Sequence, residues 1–234
     1  MSESNTLFVA RNEYKYFMSR DQALALQKEL ELVLERDEFS ENGSYRVKSL
    51  YFDSVFEQDY LQKLAGVEKR KKIRLRIYDE EAENAKLEMK EKNGIFQHKY
   101  SVKLKRADAK QISIGNYESL LYANDRVAQD IYVKMAMNAY RPKVIIEYNR
   151  LAFSYPEFST RITFDSEIKS SELNLELYER NLEYQNITDE FVILEIKFNG
   201  TLINFVSKIL EKYELQNVAV SKYCGGRTVF GKYL

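Results

Sequence analysis

The chain has 234 residues and a mass of 27.7 kDa, with 44% hydrophobic and 31% charged residues and only 8 Gly and 2 Pro, so it is a folded domain with little room for linkers. Thirty-six Lys and Arg balance 36 Asp and Glu, which argues against a protein coated with one sign of charge, as many duplex-DNA binders are. One cysteine, Cys224, excludes an internal disulfide, and one histidine, His98, excludes His-rich zinc sites.

In chain order, residues 7–17 form the first strand candidate. Ser19 and Gln22 complete a capping box for a following helix, whose apolar face is Ala23, Leu26, Leu30, Val33 and Leu34. Residues 45–52 alternate as a strand, and 54–64 read as a short helix ending at Gly66. Three more strands, 72–78, 85–92 and 99–106, are joined by the acidic stretch 79–83 and the Asn93-Gly94 turn signal. Residues 116–140 read as helix broken near Asn124, and 144–155 with 161–165 as a hairpin around Tyr155-Pro156. A polar, helical or irregular stretch then leads to the most apolar strand, 191–198. An amphipathic helix follows at 202–213, with Phe205, Val206, Ile209, Leu210 and Tyr213 inward. The tail, 218–234, reads as strand or loop, with Gly225-Gly226 as a turn. No basic segment followed by an apolar stretch opens the chain, and no apolar run approaches the ~18 residues of a membrane span. The expectation is a single cytoplasmic domain over 1–234.

This order of elements predicts an α+β fold with a largely antiparallel sheet. Charges recur two residues apart within its strands: Glu13 and Lys15, Arg74 and Arg76, Glu88 and Lys90, Lys103 and Lys105, Glu195 and Lys197. Period two puts both members of each pair on one face, opposite apolar faces such as Ile73, Leu75 and Ile77 or Val192, Leu194 and Ile196. Periodicity alone leaves two arrangements open. The charged faces meet water on an open sheet, or they line the wet lumen of a curled sheet whose outside is covered by helices. Residues 68–106 hold 13 Lys or Arg against 7 Asp or Glu, and 167–195 hold 8 acidic against 2 basic residues. That separation suggests a basic locus for an anion, balanced by acidic surface elsewhere.

Several stretches resemble the VTC domain, the polyphosphate-polymerase domain of the vacuolar transporter chaperone family, which belongs to the wider triphosphate tunnel metalloenzymes. They are Arg11-Asn12-Glu13-Tyr14-Lys15-Tyr16, Lys72-Ile73-Arg74-Leu75-Arg76-Ile77-Tyr78, Leu87-Glu88-Met89-Lys90 and Ser101-Val102-Lys103. Further on come Tyr148-Asn149-Arg150, Arg161-Ile162-Thr163-Phe164-Asp165, Leu194-Glu195-Ile196-Lys197 and Ser221-Lys222-Tyr223. The resemblance implies a closed, antiparallel, eight-stranded β-barrel, a tunnel holding triphosphate or polyphosphate, with helices packed outside and the charges inward. Two positions depart from it. Arg11 stands where the wider family has the leading Glu of its first strand, and Ala219 stands where the eukaryotic polymerases tend to have a basic residue.

Phosphoryl transfer asks a protein mainly for positioning and charge neutralisation. Arg offers a planar bidentate fork to phosphate oxygens and Lys a movable point charge. Lys15, Arg74, Arg76, Lys90, Lys103, Arg150, Arg161, Lys197 and Lys222 are therefore the expected phosphate-binding and catalytic set. Arg150 has the opposite parity from Glu147, so a bulge or strand end is needed if both face inward. With almost no His or Cys, the expected cofactor is a hard ion, Mn²⁺ or Mg²⁺, with Glu195 as the first ligand candidate and Glu13, Glu88 and Glu147 as secondary ones whose alternative role is to neutralise and orient neighbouring Lys and Arg. No Gly-rich nucleotide loop exists. His98 reads as a tunnel-mouth or surface residue, Cys224 as a small buried side chain, and 69–72 as a solvated loop. The 18 tyrosines read as core packing. The leading function is a metal-dependent, polyphosphate polymerase-like phosphotransferase acting on a nucleoside triphosphate. The alternatives are a metal-dependent tripolyphosphatase or nucleoside triphosphatase, and a non-catalytic polyphosphate-binding module.

Overall fold

The computed structural model describes residues 4–8, 12–94, 96–156, 159–188 and 190–231. Its first half contains β1 (Ser4–Phe8), β2 (Asn12–Ser19), α1 (Arg20–Glu31), β3 (Glu35–Arg36), β4 (Tyr45–Asp53), α2 (Gln58–Leu64), β5 (Arg70–Ile77), β6 (Asn84–Asn93) and β7 (Phe96–Lys105). There follow α3 (Arg106–Ser113), α4 (Glu118–Leu121), α5 (Arg126–Met137), β8 (Arg141–Tyr155), β9 (Thr160–Ser171), β10 (Gln185–Thr188), β11 (Phe191–Phe198), α6 (Asn204–Glu211) and α7 (Lys222–Gly231). The capping box forms as the sequence predicts: the Gln22 amide donates to Ser19 Oγ at 3.2 Å, and Gln22 Oε1 accepts from the Ser19 amide at 3.1 Å.

The strands make one antiparallel sheet in the order β1-β7-β6-β5-β4-β8-β9-β11-β2, with β10 added to β9 and β3 to β8. Laid flat, the nine strands of that path would put β1 and β2 about 38 Å apart, at about 4.8 Å per step. Yet Phe8 ends β1 and Asn12 begins β2, four residues later, which the chain can span over about 14 Å at most. The sheet must therefore curl until its two ends approach.

No ladder joins those ends among the described residues. The free edge of β2 is taken instead by the segment before α7: Tyr16 bridges Asn217, and the Val218 amide donates to the Lys15 carbonyl at 2.8 Å. The expected eight-stranded closed barrel is thus, in what is described, a curled eleven-stranded sheet without a hydrogen-bonded seam. Two of the extra strands, β3 and β10, are short additions to β8 and β9, and β1 pairs with β7.

Apolar side chains pack in three places. Outward residues of β4–β7, among them Leu50, Ile73, Leu75 and Leu87, are fully buried with Ile112, Leu120 and Ile131 of α3, α4 and α5. Outward Phe153, Ile162, Leu194 and Ile196 pack with Leu26 and Leu30 of α1 and Val206 of α6. These helices cover the outside of the curl, as the apolar strand faces require. The third cluster lies on the inward faces: Val47, Tyr51, Val144, Ile146, Tyr148, Ile168 and Ile193 surround Tyr223 and Cys224 of α7.

The tail was expected to be strand or loop with a Gly-Gly turn; it forms α7, and Gly225 and Gly226 lie within that helix. Close approach of the helix to the sheet explains them. A Cβ on Gly226 would stand 2.3 Å from Ile146 Cδ1 and 3.2 Å from Ser170 Cβ. Gly226→Ala should therefore cost about 1–3 kcal/mol through overpacking. An unchanged denaturant midpoint for that variant would contradict the close contact.

Candidate functional site

Alternation along β5 sets the pattern. Ile73, Leu75 and Ile77 are buried under the outer helices, while Lys72, Arg74 and Arg76 point the other way, into the curl. The same parity brings in Glu88 and Lys90 from β6, Lys99 from β7, Tyr51 from β4, Tyr148 and Arg150 from β8, and Arg161 from β9. Glu13 and Lys15 of β2 and Ile193, Glu195 and Lys197 of β11 complete the wall, and Lys222 enters from the start of α7. Eight strands thus line one cavity of about 190 Å³, with ten Lys and Arg side chains against three Glu. At Glu13, Lys15, Lys72 and Lys90 it joins a wider mouth of about 560 Å³, lined also by Lys63, Arg70, Lys71 and Lys92.

The carboxylates are distributed through this wall as local anchors. Glu88, 1% exposed, meets Arg74 Nε at 2.8 Å, Lys99 Nζ at 2.6 Å and Arg76 Nε at 3.6 Å. Burial works to raise its pKa, but Arg74, Arg76 and Lys99 hold it well below the usual carboxylate range. Asp165, with no exposed surface, takes the Arg150 fork at 2.6 and 2.7 Å and the Lys222 ammonium at 2.5 Å. Burial again pulls upward, and Arg150 and Lys222 bring the pKa down to about 2. Glu195 pairs with Lys197 and, at 3.7 Å, with Lys15; against its burial these cations keep it well below its ordinary value.

Other cations are left over. Lys72 and Lys90 have no carboxylate within ion-pairing distance among the described residues; Lys72 donates to Ser221 Oγ at 3.2 Å. Burial, with repulsion from Lys197 and Arg74, drives the Lys90 ammonium well below its ordinary pKa. Arg76 Nε is buried without a hydrogen-bond partner. An anion entering the cavity would relieve both repulsion and unsatisfied donors.

Of the expected phosphate set, Lys15, Arg74, Arg76, Lys90, Arg150, Arg161, Lys197 and Lys222 come together on this cavity. Lys103 does not. It shares the face of Lys99 on β7 but lies nearer the strand end, opposite Lys86, and is exposed. Glu147 also falls outside, because its parity puts it on the outer face of β8, where it binds Lys169 at 3.0 Å and the Tyr184 hydroxyl at 2.7 Å. The register shift lies between Glu147 and Asn149 in the β8–β9 pairing, where β9 holds the extra residue and Glu167 has φ 51°, so Arg150 and Glu147 keep opposite faces. Residues 70–72 are strand rather than loop, and Lys72 lines the cavity. Lys99 is a further lining residue that the period-two pairs did not mark, and Asp165 anchors Arg150 and Lys222 behind the wall. Arg11 lies outside the described residues, and Ala219 lines the lysine-rich mouth without adding charge. His98 is half-buried at the β7 end near Lys71 and Lys92, and Cys224 is buried.

The donor set fits a hard divalent ion. Glu13 and Glu195 flank one ammonium, Lys15, at 2.5 and 3.7 Å, and both offer carboxylate oxygens. No group of three or more His, Cys, Asp or Glu side chains gathers among the described residues. An ion here would therefore draw most of its ligands from phosphate oxygens and water, as Mg²⁺ commonly does beside substrate phosphates.

The family model of the VTC domain matches residues 10–230. The chain belongs to the VTC domain family. Among solved structures, this VTC domain is similar to a candidate adenylate cyclase from Bacillus halodurans, at 16% identity and a TM-score of 0.54 over 91% of this chain and 96% of that one. It is also similar to a candidate adenylyl cyclase from Hippeastrum described as having a dominant triphosphatase activity. That match has 14% identity and a TM-score of 0.56, and covers 93% of this chain and 95% of the other. At such identities the likeness is one of fold. No curated protein sequence matches the chain. No described helix is long and apolar enough to cross a membrane.

Proposed function

We propose that this VTC domain, as one tunnel domain over 1–234, is a polyphosphate polymerase-like phosphotransferase. The observation that carries the reading is the inward wall of ten cations against three carboxylates, with Lys72 and Lys90 free of any carboxylate among the described residues and Arg76 Nε without a hydrogen bond. In the reaction, a terminal oxygen of the acceptor polyphosphate attacks the γ-phosphorus of a nucleoside triphosphate. The bond from that phosphorus to the β–γ bridging oxygen breaks, the nucleoside diphosphate leaves with the electron pair, and the chain grows by one phosphate. Arg74, Arg76, Arg150 and Arg161 orient the phosphates through their planar donors, while Lys15, Lys72, Lys90, Lys99, Lys197 and Lys222 neutralise charge. Glu195 and Glu13 would hold Mn²⁺ or Mg²⁺, which supplies charge stabilisation on the transferred phosphoryl oxygens.

Incubation with ATP and Mn²⁺, resolving polyphosphate, free phosphate and unchanged ATP, tests the reading. Growth of polyphosphate is the expected result. Free phosphate alone would favour a hydrolase, the reading that the triphosphatase activity of the Hippeastrum structure supports. Unchanged ATP would leave a binding module, a reading consistent with the uncharged Ala219 at the mouth.

Arg76 gives a sharper prediction, since no hydrogen bond occupies its Nε. Charge-assisted contacts to phosphate are worth about 1.5–3 kcal/mol. Arg76→Ala should thus weaken tripolyphosphate binding roughly 10- to 100-fold, and Arg76→Lys should restore only part of it. Equal affinities by calorimetry would remove Arg76 from the phosphate set.

A further inference from the structure

β5 runs the length of the cavity and distinguishes its two ends. At one end, Arg70 and Lys71 line the wide mouth, which has no aromatic ring in its wall among the described residues. Lys72, Arg74 and Arg76 then follow into the narrow cavity. Tyr78 follows directly on the last strand residue, Ile77, which lies roughly 23 Å from Arg70 along β5 by its rise per residue. Here the chemistry changes from lysine to aromatic.

Tyr78 stands in a three-ring cluster with Phe39 and Tyr45. The Phe39 and Tyr78 rings are almost parallel, 8° apart with centroids at 6.0 Å, and Tyr45 lies 5.8 Å from Phe39 and 6.0 Å from Tyr78. This is not core. Phe39 is 58% and Tyr78 40% exposed. Both tyrosines are tied to arginines of the cavity wall: Arg161 Nη2 donates to the Tyr45 hydroxyl at 3.2 Å, and Arg76 stands beside the Tyr78 hydroxyl. Arg76 Nε, buried without a hydrogen bond and 3.6 Å from Glu88, belongs to the same junction.

We propose that Phe39, Tyr45 and Tyr78 hold the nucleobase of the triphosphate donor, so that the donor enters by this end with its base outermost and its phosphates on Arg76 and Arg161. The inference rests on the proposed nucleoside triphosphate function and adds the residues that recognise the non-phosphate part. A base offers a flat π-face that stacks on exposed aromatic rings, and a polyphosphate chain offers none. The aromatic end therefore suits a nucleotide, and the lysine-rich mouth suits a chain of phosphates alone.

The test compares two ligands in one calorimetric series, ATP and inorganic tripolyphosphate, on the wild type, Phe39→Ala and Phe39→Tyr. Phe39 is exposed, so its replacement leaves the core packing intact. ATP affinity is expected to fall about 10-fold in Phe39→Ala and to return in Phe39→Tyr, which restores the ring. Tripolyphosphate affinity is expected to stay constant across all three. Tripolyphosphate binding with no selective loss of ATP in Phe39→Ala would overturn this inference and leave the proposed function standing. Failure of the wild type to bind either ligand would overturn both.

Discussion

Glu195→Gln is expected to lower turnover by about 100-fold or more while leaving the fold intact. Glu195 is 7% exposed and faces the cavity from β11, flanked by Lys197 and by Lys15 at 3.7 Å. Glutamine has nearly the same volume, and the outward neighbours Leu194 and Ile196, which carry the packing, are untouched. What is lost is a hard oxygen donor and one negative charge. Charge stabilisation of several kcal/mol is typical where a divalent ion serves phosphoryl transfer, and each ~1.4 kcal/mol is tenfold in rate. Binding without metal should move the other way. Removing a carboxylate from a wall that receives an anion reduces repulsion, so tripolyphosphate should bind no more weakly than to the wild type. The two measurements together identify the role. Full metal-dependent turnover in the variant would reduce Glu195 to an ion-pair partner of Lys15 and Lys197.

Arg150→Ala should be the most destabilising change in the wall, at about 3–5 kcal/mol in denaturant titrations near neutral pH. Its fork occupies both oxygens of Asp165, at 2.6 and 2.7 Å, and Asp165 has no exposed surface. After the substitution only Lys222 remains to compensate that charge. Linkage gives a pH signature. Burial opposes ionisation of Asp165, but Arg150 and Lys222 bring its pKa from 3.8 down to about 2. A depressed carboxylate contributes stability above its unfolded value and loses it as pH falls through the folded one. The gap between wild type and Arg150→Ala should therefore be full at neutral pH and narrow below about pH 4. A gap that is small at pH 7, or that widens on acidification, would contradict the buried pairing.

Much of this architecture is written in period two. Glu13 with Lys15, Arg74 with Arg76, and Glu195 with Lys197 each bracket one apolar or aromatic residue, so their common face can be read directly, and all six reach the cavity. Lys72 stands two residues before Arg74 and shares its face, although the all-basic run 69–72 reads as a loop. Lys99 has no charged residue two positions away, and no period-two pair marks Asp165, so only the fold brings them to Glu88 and Arg150. Lys103 shows the converse, since correct parity does not say how far along a strand the lumen extends. The helix α7 was illegible for another reason. Gly225 and Gly226 signal a turn locally, whereas close packing against Ile146 and Ser170 dictates them. The absent ladder between β2 and the far side likewise depends on residues 217 and 218, more than 200 positions away in the chain.

The proposed function requires the cationic wall inside the curled sheet to bind a chain of phosphates. Titration of the wild-type protein with inorganic tripolyphosphate in a calorimeter, at low and at moderate salt, tests it most directly. The expected result is saturable one-to-one binding that weakens as salt rises, because charge attraction dominates the contact. Absence of binding at low salt would contradict the account, whatever the protein does with ATP.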